Sequence, residues 1–252
     1  MEAQRLTVTD WDYSALAAHY DKRAPYADAA LDALVAALAL PSGARVADIG
    51  AGTGRLALPL AERGFDVVAV EPNDAMRAFG RRHERATLHY IDATGEATGL
   101  PDGAFALVAY GSSFNVVDAA LALREAARIA TRDGAIALMW NHRDLDDPLQ
   151  AAIETAIRRR VPGYAYGTRR ADPTAAIAAS GAFGDVQAIE RRFFHHTNGT
   201  DFLDGFRAHA TLARQAGDAF DAVLGDIAAL VGDGALDVPF ATRIWHARRR
   251  DA

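Results

Sequence analysis

Apolar residues recur along this chain in two alternating rhythms, and the alternation predicts the fold. Helical spacing marks residues 12–22 and 26–39, with Pro25 between them. A short apolar run, A-R-V-A-D-I at 44–49, then leads straight into a glycine cluster, the pattern of a buried strand. A helix over 55–63 stops at Gly64, a residue suited to the left-handed cap that ends helices. Strand 66–71, helix 74–82 and strand 87–91 repeat the rhythm. Strand 105–110, helix 118–130 and a fifth strand, A-I-A-L-M-W, opened by Gly134, continue it. Strands alternating with helices in this way predict an α/β fold with a doubly wound, mostly parallel sheet and right-handed crossovers.

After Asn141 the rhythm changes. Helix 147–160, a loop with Pro162, Gly163 and Gly167, and helix 173–180 precede two long strands, 185–196 and 236–248. Mainly helical residues, 200–231, separate those strands. The pattern predicts an antiparallel last strand, with a helical insert of about 197–233 capping the sheet between the last two strands. No repeat or low-complexity linker divides the chain. Residues 1–252 therefore read as a single domain: an N-terminal helical segment (1–40), a ligand-binding core (41–145) and a C-terminal part (146–252).

Composition narrows the classes. Apolar residues make up 50% and charged residues 24%, which argues against disorder. With no cysteine, disulfides, thiolate metal sites and a cysteine nucleophile are excluded, and a cytoplasmic location is expected. A net charge of −6 argues against nucleic acid as a partner. Arg158–Arg160 and Arg248–Arg250 read as solvated clusters. The N-terminus lacks the basic and apolar regions of a signal peptide. The longest apolar stretch, 27–40, is interrupted by Asp28 and Asp32 and is too short to span a bilayer, so no membrane partner is expected. Monomer and homodimer both stay open.

The chemistry concentrates in V-A-D-I-G-A-G-T-G-R, residues 46–55. Gly50, Gly52 and Gly54 follow the first strand, where glycine permits a sharp turn and close approach of a ligand to the main chain. The helix beyond begins with unpaired N–H groups. Glu71 closes the second strand, 23 residues after Asp48, where an acid can accept both ribose hydroxyls of an adenosine ligand. Asp92 ends the third strand and can accept an adenine amino group. Met76, on the helix between, can pack on the adenine face. A dinucleotide-binding oxidoreductase is the nearest rival. Its G-x-G-x-x-G spacing is not met, because Arg55 stands where the third glycine would fall.

D-I-G-A-G-T-G, V-E-P, I-D-A and G-A-I-A-L together resemble the ordered motifs of class I S-adenosylmethionine-dependent methyltransferases, across about residues 10–141. The segment G-S-S-F-N-V-V-D, 111–118, is similar to the small-molecule branch with a type 11 methyltransferase domain. That branch often carries His-Trp where Asn115 and Val116 stand here. The resemblance implies a Rossmann-like fold, S-adenosylmethionine as cofactor and S-adenosylhomocysteine as product. It implies a cofactor site of Asp48, Gly50, Gly52, Gly54, Glu71, Pro72, Met76, Asp92, Ala93 and Gly111. The string Y-D-K-R-A-P-Y, 20–26, also resembles this branch, whose N-terminal helices form a lid. There Tyr20 and Arg23 would meet the methionine end of the cofactor, Arg23 suiting its carboxylate.

Methyl transfer mainly requires an acceptor held in line in a dry pocket. Topology nominates Tyr26, Asn115, Trp140, Asn141, Tyr166, Arg169, Arg214 and Arg243 as acceptor-binding residues. His142, just past strand five, is a candidate base or orienting group together with Asn115. His195 and His196 are adjacent on a strand and face opposite sides, so no metal site is expected. The arginines favour an acceptor carrying a carboxylate, such as an amino acid or thioether acid, methionine S-methylation among them. Other chemistry with the same cofactor, or a non-catalytic cofactor-binding module, are the alternatives.

Overall fold

Short β-branched and small apolar runs bounded by glycine become strands in the computed structural model, which describes residues 13–167 and 171–250. The strands are β1 (Arg45–Ile49), β2 (Asp66–Val70), β3 (Leu88–Ile91), β4 (Phe105–Gly111), β5 (Ala130–Arg143), β6 (Gln187–Asn198) and β7 (Ala235–Arg248). They form one sheet in the order β3-β2-β1-β4-β5-β7-β6. β1 to β5 run parallel, and β7 lies antiparallel between β5 and β6. The strand order reverses between β1 and β4. That reversal splays the following loops apart and opens a crevice at the carboxyl edge.

Helices cover both faces. α2 (Asp28–Ala37) and α3 (Ala57–Glu62) belong to one side, and α1 (Ala17–Tyr20) is a single turn before them. Leu31, Leu34 and Leu60 are fully buried there against Val46, Val67 and Leu107, each contributing about 1.5–3 kcal/mol by transfer out of water. α5 (Ala119–Ile129) and α7 (Thr174–Ala179) cover the other face through Leu123, Ala126, Ile129 and Ile177. α4 (Asp74–Gly80) links β2 to β3. A third cluster lies beyond the sheet. There Ile153 and Ile157 of α6 (Pro148–Arg160) meet Phe202 and Phe206 of α8 (Gly199–Arg207) and Val223 and Ile227 of α10 (Phe220–Val231). α9 (Ala210–Ala216) adds Leu212.

The helical insert thus exists as predicted, but as three helices. His209 caps α9, its ring Nδ1 accepting the Leu212 N–H at 3.2 Å, and Gly217 at φ +48° ends it. Two other boundaries differ. The predicted helix 12–22 shrinks to a 3-10 turn at Ser14–Leu16 and the single turn of α1, its first residue lying outside the described residues. β5 starts directly at the end of α5 and runs on to Arg143, because β7 pairs with it along the way: Asn141 opposes Thr242, His142 opposes Ala241 and Arg143 opposes Phe240. His142 therefore lies within a strand and not in a loop past it. Among the described residues no helix is long and apolar enough to cross a membrane.

One packing detail explains a glycine in a helix. Glycine there costs about 1 kcal/mol relative to alanine. Yet a Cβ on Gly80 would fall 2.2 Å from Tyr90 Cζ, because the Tyr90 ring lies across α4. The Tyr90 hydroxyl is buried under the glycine loop with no hydrogen-bond partner among the described residues, and burial pushes its pKa up. Gly80→Ala is expected to cost about 1–3 kcal/mol in urea unfolding, the scale of overpacking. Tyr90→Phe should cost nothing and can gain up to about 1 kcal/mol, since it removes an unsatisfied polar atom. A clear loss of stability in Tyr90→Phe would show that the hydroxyl is bonded.

Candidate active site

The turn after β1 demands glycine. Gly50, Gly52 and Gly54 have φ of +68°, +58° and +99°. They differ in what excludes a side chain. A Cβ on Gly50 would fall 2.5 Å from Ser113 Cβ, so packing forbids it. A Cβ on Gly52 would touch only Met76 Cε at 3.4 Å and Tyr20 Cε1 at 3.9 Å, and Gly52 lines a cavity. The backbone N–H groups of Gly50 and Ala51 both donate to Val70 O. The Gly52 N–H donates to Glu71 Oε2 at 2.8 Å, and the Asn73 N–H donates to Oε1 at 2.8 Å. Glu71 is thus a brace for the loop, and each oxygen keeps a lone pair for a second donor. Burial raises its pKa, with the two backbone bonds pulling the other way.

The neighbours of Glu71 are charged and ordered. The Arg77 guanidinium is buried, donates to Glu71 O at 2.7 Å, and pairs with Asp74 and, at 3.2 Å, with Asp92. Asp92 therefore carries an ion pair at the end of β3. Asp48 lies fully buried beneath the glycine loop, and neither oxygen makes a full hydrogen bond among the described residues. Burial and the nearby Glu71 push its pKa up to about 8, against a weak pull from the Ala57 N–H.

One cavity opens at the carboxyl ends of β1, β4 and β5. Asp48, Gly50, Ala51, Gly52, Gly111 and Ser112 line its inner part. Tyr20, Lys22, Arg23, Ala24 and Tyr26 reach it from the N-terminal segment. Trp140, Asn141 and Arg143 come from β5, and Phe240 from β7. Tyr166 and, from the insert, Phe202, Gly205, Phe206 and His209 complete the wall.

Hydrogen bonds hold these groups in place. The Tyr26 and Ser112 hydroxyls lie 2.9 Å apart, and burial pushes the Tyr26 phenol up to about 12. Ser112 adopts φ +61°, a left-handed conformation costly for a residue with a Cβ, as found where a site over-determines its backbone. The Trp140 indole N–H donates to Asn115 Oδ1 at 3.2 Å. The Asn141 side-chain amide donates to Ala24 O and Pro25 O and accepts from the Thr242 hydroxyl at 2.6 Å, tying the N-terminal segment to the sheet.

Ten of the expected residues line the cavity: Tyr20, Arg23, Tyr26, Asp48, Gly50, Gly52, Gly111, Trp140, Asn141 and Tyr166. Gly54, Glu71, Pro72, Met76, Asp92 and Ala93 lie outside its lining. Asn115 lies off the lining and accepts the Trp140 indole N–H. His142 is buried off the lining within β5, its ring 6.4 Å from Trp245 of β7. Arg214 is exposed on α9. Arg243 projects outward from β7 to pair with Glu190 at 2.5 Å. Arg169 lies outside the described residues. Sequence reasoning missed Ser112 and the pocket face of Phe202, Phe206 and Phe240, whose spacing looks like ordinary core. It treated Arg55 only as a missing glycine, although its side chain lines the cavity.

Comparison with known proteins agrees with this geometry. A methyltransferase domain family matches residues 47–138. An uncharacterized methyltransferase of Mycobacterium tuberculosis is 39% identical over 132 residues, 52% of this chain and 52% of that protein. The match thus spans about half the length of that relative. The demethylmenaquinone methyltransferase of Renibacterium salmoninarum is 30% identical over 165 residues, 60% of this chain and 68% of that protein. A solved structure from Anaeromyxobacter dehalogenans shares the fold, with a TM-score of 0.65 at 20% identity over 90% of this chain and 97% of the other. With its β3-β2-β1-β4-β5-β7-β6 sheet and braced glycine turn, the chain belongs to the class I S-adenosylmethionine-dependent methyltransferase family, in the type 11 domain group.

Proposed function

We propose that the chain transfers a methyl group from S-adenosylmethionine to a small-molecule acceptor and releases S-adenosylhomocysteine. One observation carries the reading: the glycine turn and an aromatic wall from β5, β7 and the insert share a single cavity. The residues present fit the cofactor. The orphaned carboxylate of Asp48 can accept from its ammonium group, and the space that a Cβ on Gly52 would fill suits the ligand chain. Arg23 suits its carboxylate. Glu71 suits the ribose hydroxyls, Asp92 the adenine amino group and Met76 the adenine face. When bound, the cofactor supplies an electrophilic methyl group on a positively charged sulfur.

The chain's own work is then placement and exclusion of water. Trp140, Phe202, Phe206 and Phe240 form apolar walls, which raise the strength of every polar contact inside. Tyr26 and Ser112 present hydroxyls beside Gly111, where they can orient an acceptor against the donor. Asn115 and His142 are assigned no proton transfer, since neither lines the cavity. Holding the nucleophile in line can itself supply about 7–11 kcal/mol of the barrier.

Incubation with methyl-labelled cofactor and a panel of small acceptors tests the reading. Label should pass to an acceptor, whereas binding of cofactor and demethylated product without transfer to any acceptor would indicate a binding module. Gly52→Ala should stay folded, at a cost of about 1–2 kcal/mol for alanine in the left-handed region. Its affinity for S-adenosylhomocysteine, measured by calorimetry, should fall by about tenfold or more, equivalent to about 1.4 kcal/mol. Unchanged affinity would put the ligand elsewhere.

Asp48 supplies a pH signature. Its pKa is raised in the folded chain, so between the ordinary carboxylate range and about pH 8 the folded state holds a proton that the unfolded state has lost. The stability this contributes is full below the ordinary range and is lost as pH rises towards 8. The cofactor-free protein should therefore lose stability from pH 5 to pH 8. Asp48→Asn should flatten that slope and be the more stable form at pH 8. Parallel pH profiles of the two in urea unfolding would refute a protonated Asp48.

A further inference from the structure

The cavity holds more positive charge than the cofactor can answer. Of its four cationic side chains, two already have partners. Lys22 pairs with Asp201 at 2.9 Å. Arg143 is bound by Gln150 Oε1 and Gln150 O at 2.7 Å each and faces Glu154 at 3.5 Å. The other two, Arg23 and Arg55, form no salt bridge among the described residues. Arg23 lies over the Tyr20 ring and donates to Ala208 O at 3.5 Å. Arg55 donates to Asp21 O at 2.8 Å. Both contacts are to neutral carbonyls, and burial together with Arg23 works against the Arg55 charge.

S-adenosylmethionine brings one carboxylate, one ammonium and one sulfonium. If Arg23 takes the carboxylate, the cofactor offers no second anion to Arg55. A guanidinium bound only to neutral carbonyls at the wall of a cavity gains from a ligand that supplies an anion. Arg55 lines the same cavity as Tyr26, Phe206 and Phe240. Its charge bears on Tyr26, which lines the cavity, and on His195, whose ring lies 6.2 Å from the cavity residue Phe240.

The rest of the acceptor side is aromatic and fixed. Phe202 and Phe206 meet edge to face at 5.4 Å. The His209 ring stacks on Phe206 at 13°, and its cap bond to the Leu212 N–H fixes the ring plane. Flat walls of this kind suit a flat or apolar body.

We propose that Arg55 docks an anionic group of the methyl acceptor, and that the acceptor is a small acid with an aromatic or apolar body. This rests on the donor assignment above and replaces Arg214 and Arg243 with Arg55 as the anion clamp. Guanidinium and carboxylate match in bidentate geometry, which also orients the acceptor relative to the donor. No covalent step involves Arg55.

Benzoate and its neutral isostere benzamide serve as probes, titrated calorimetrically into the full chain saturated with S-adenosylhomocysteine. Benzoate should bind about tenfold or more tightly than benzamide, the scale of one charge-assisted contact. Arg55→Gln should remove that preference while S-adenosylhomocysteine affinity stays within about threefold. Arg55→Lys should restore part of it, because the charge returns without the fork. Equal binding of the two probes by the wild-type complex overturns the docking site alone, and needs no variant. Loss of S-adenosylhomocysteine affinity in Arg55→Gln also overturns it, by making Arg55 a cofactor ligand. Failure of the wild-type chain to bind S-adenosylhomocysteine would overturn the donor assignment as well.

Discussion

The bond from the Gly52 N–H to the Glu71 carboxylate, 2.8 Å long, joins the turn after β1 to the end of β2. Much of the site depends on it. A turn of three left-handed glycines is entropically expensive and would sample many shapes unbraced. Glu71 holds its tip, Val70 O holds its base, and Ser113 packs against Gly50. Arg77 then secures Glu71 from behind. The chain of contacts runs from sheet to turn to cavity, so the donor side is pre-organised before any ligand arrives.

The acceptor side is assembled differently. No strand end supplies it alone. The N-terminal segment and the insert meet over the crevice through Lys22 with Asp201, His19 with Asp204 at 3.6 Å, and Arg23 with Ala208 O. These contacts are half-exposed, and surface ion pairs are worth about 0–1 kcal/mol each. Asn141 adds a firmer anchor with its bonds to Ala24, Pro25 and Thr242. Behind these contacts the insert is fixed by the hydrophobic cluster that α8, α9 and α10 share with α6.

Unsatisfied polar groups are the cost of this arrangement. Asp48 lies buried and protonated without a full hydrogen bond, and Arg55 makes no salt bridge among the described residues. The unsatisfied group at Asp48 is destabilising in the empty protein. Stability given up in the folded scaffold reappears as ligand affinity, a common trade at functional sites.

Periodicity alone determined the strand order of events: five strands interleaved with helices, a long antiparallel pair and a helical insert. The glycine spacing and the acids at strand ends pointed to the sheet edge where the cavity opens, for a simple reason. Those residues sit within a few positions of their strands, so local geometry carries them to the same edge. Tertiary structure decided the acceptor side. The face that α8 and α9 turn inward depends on a third hydrophobic cluster with α6 and α10, which brings in Phe202 and Phe206 and leaves Arg214 outside. Likewise β7 pairing, and not local sequence, extended β5, buried His142 and sent Arg243 to Glu190. Arg55 shows the division most clearly. Its neighbours in sequence mark it as the end of a glycine turn, but only the fold bonds its side chain to Asp21 O and sets Arg55 in the cavity wall, because that contact joins segments 34 residues apart.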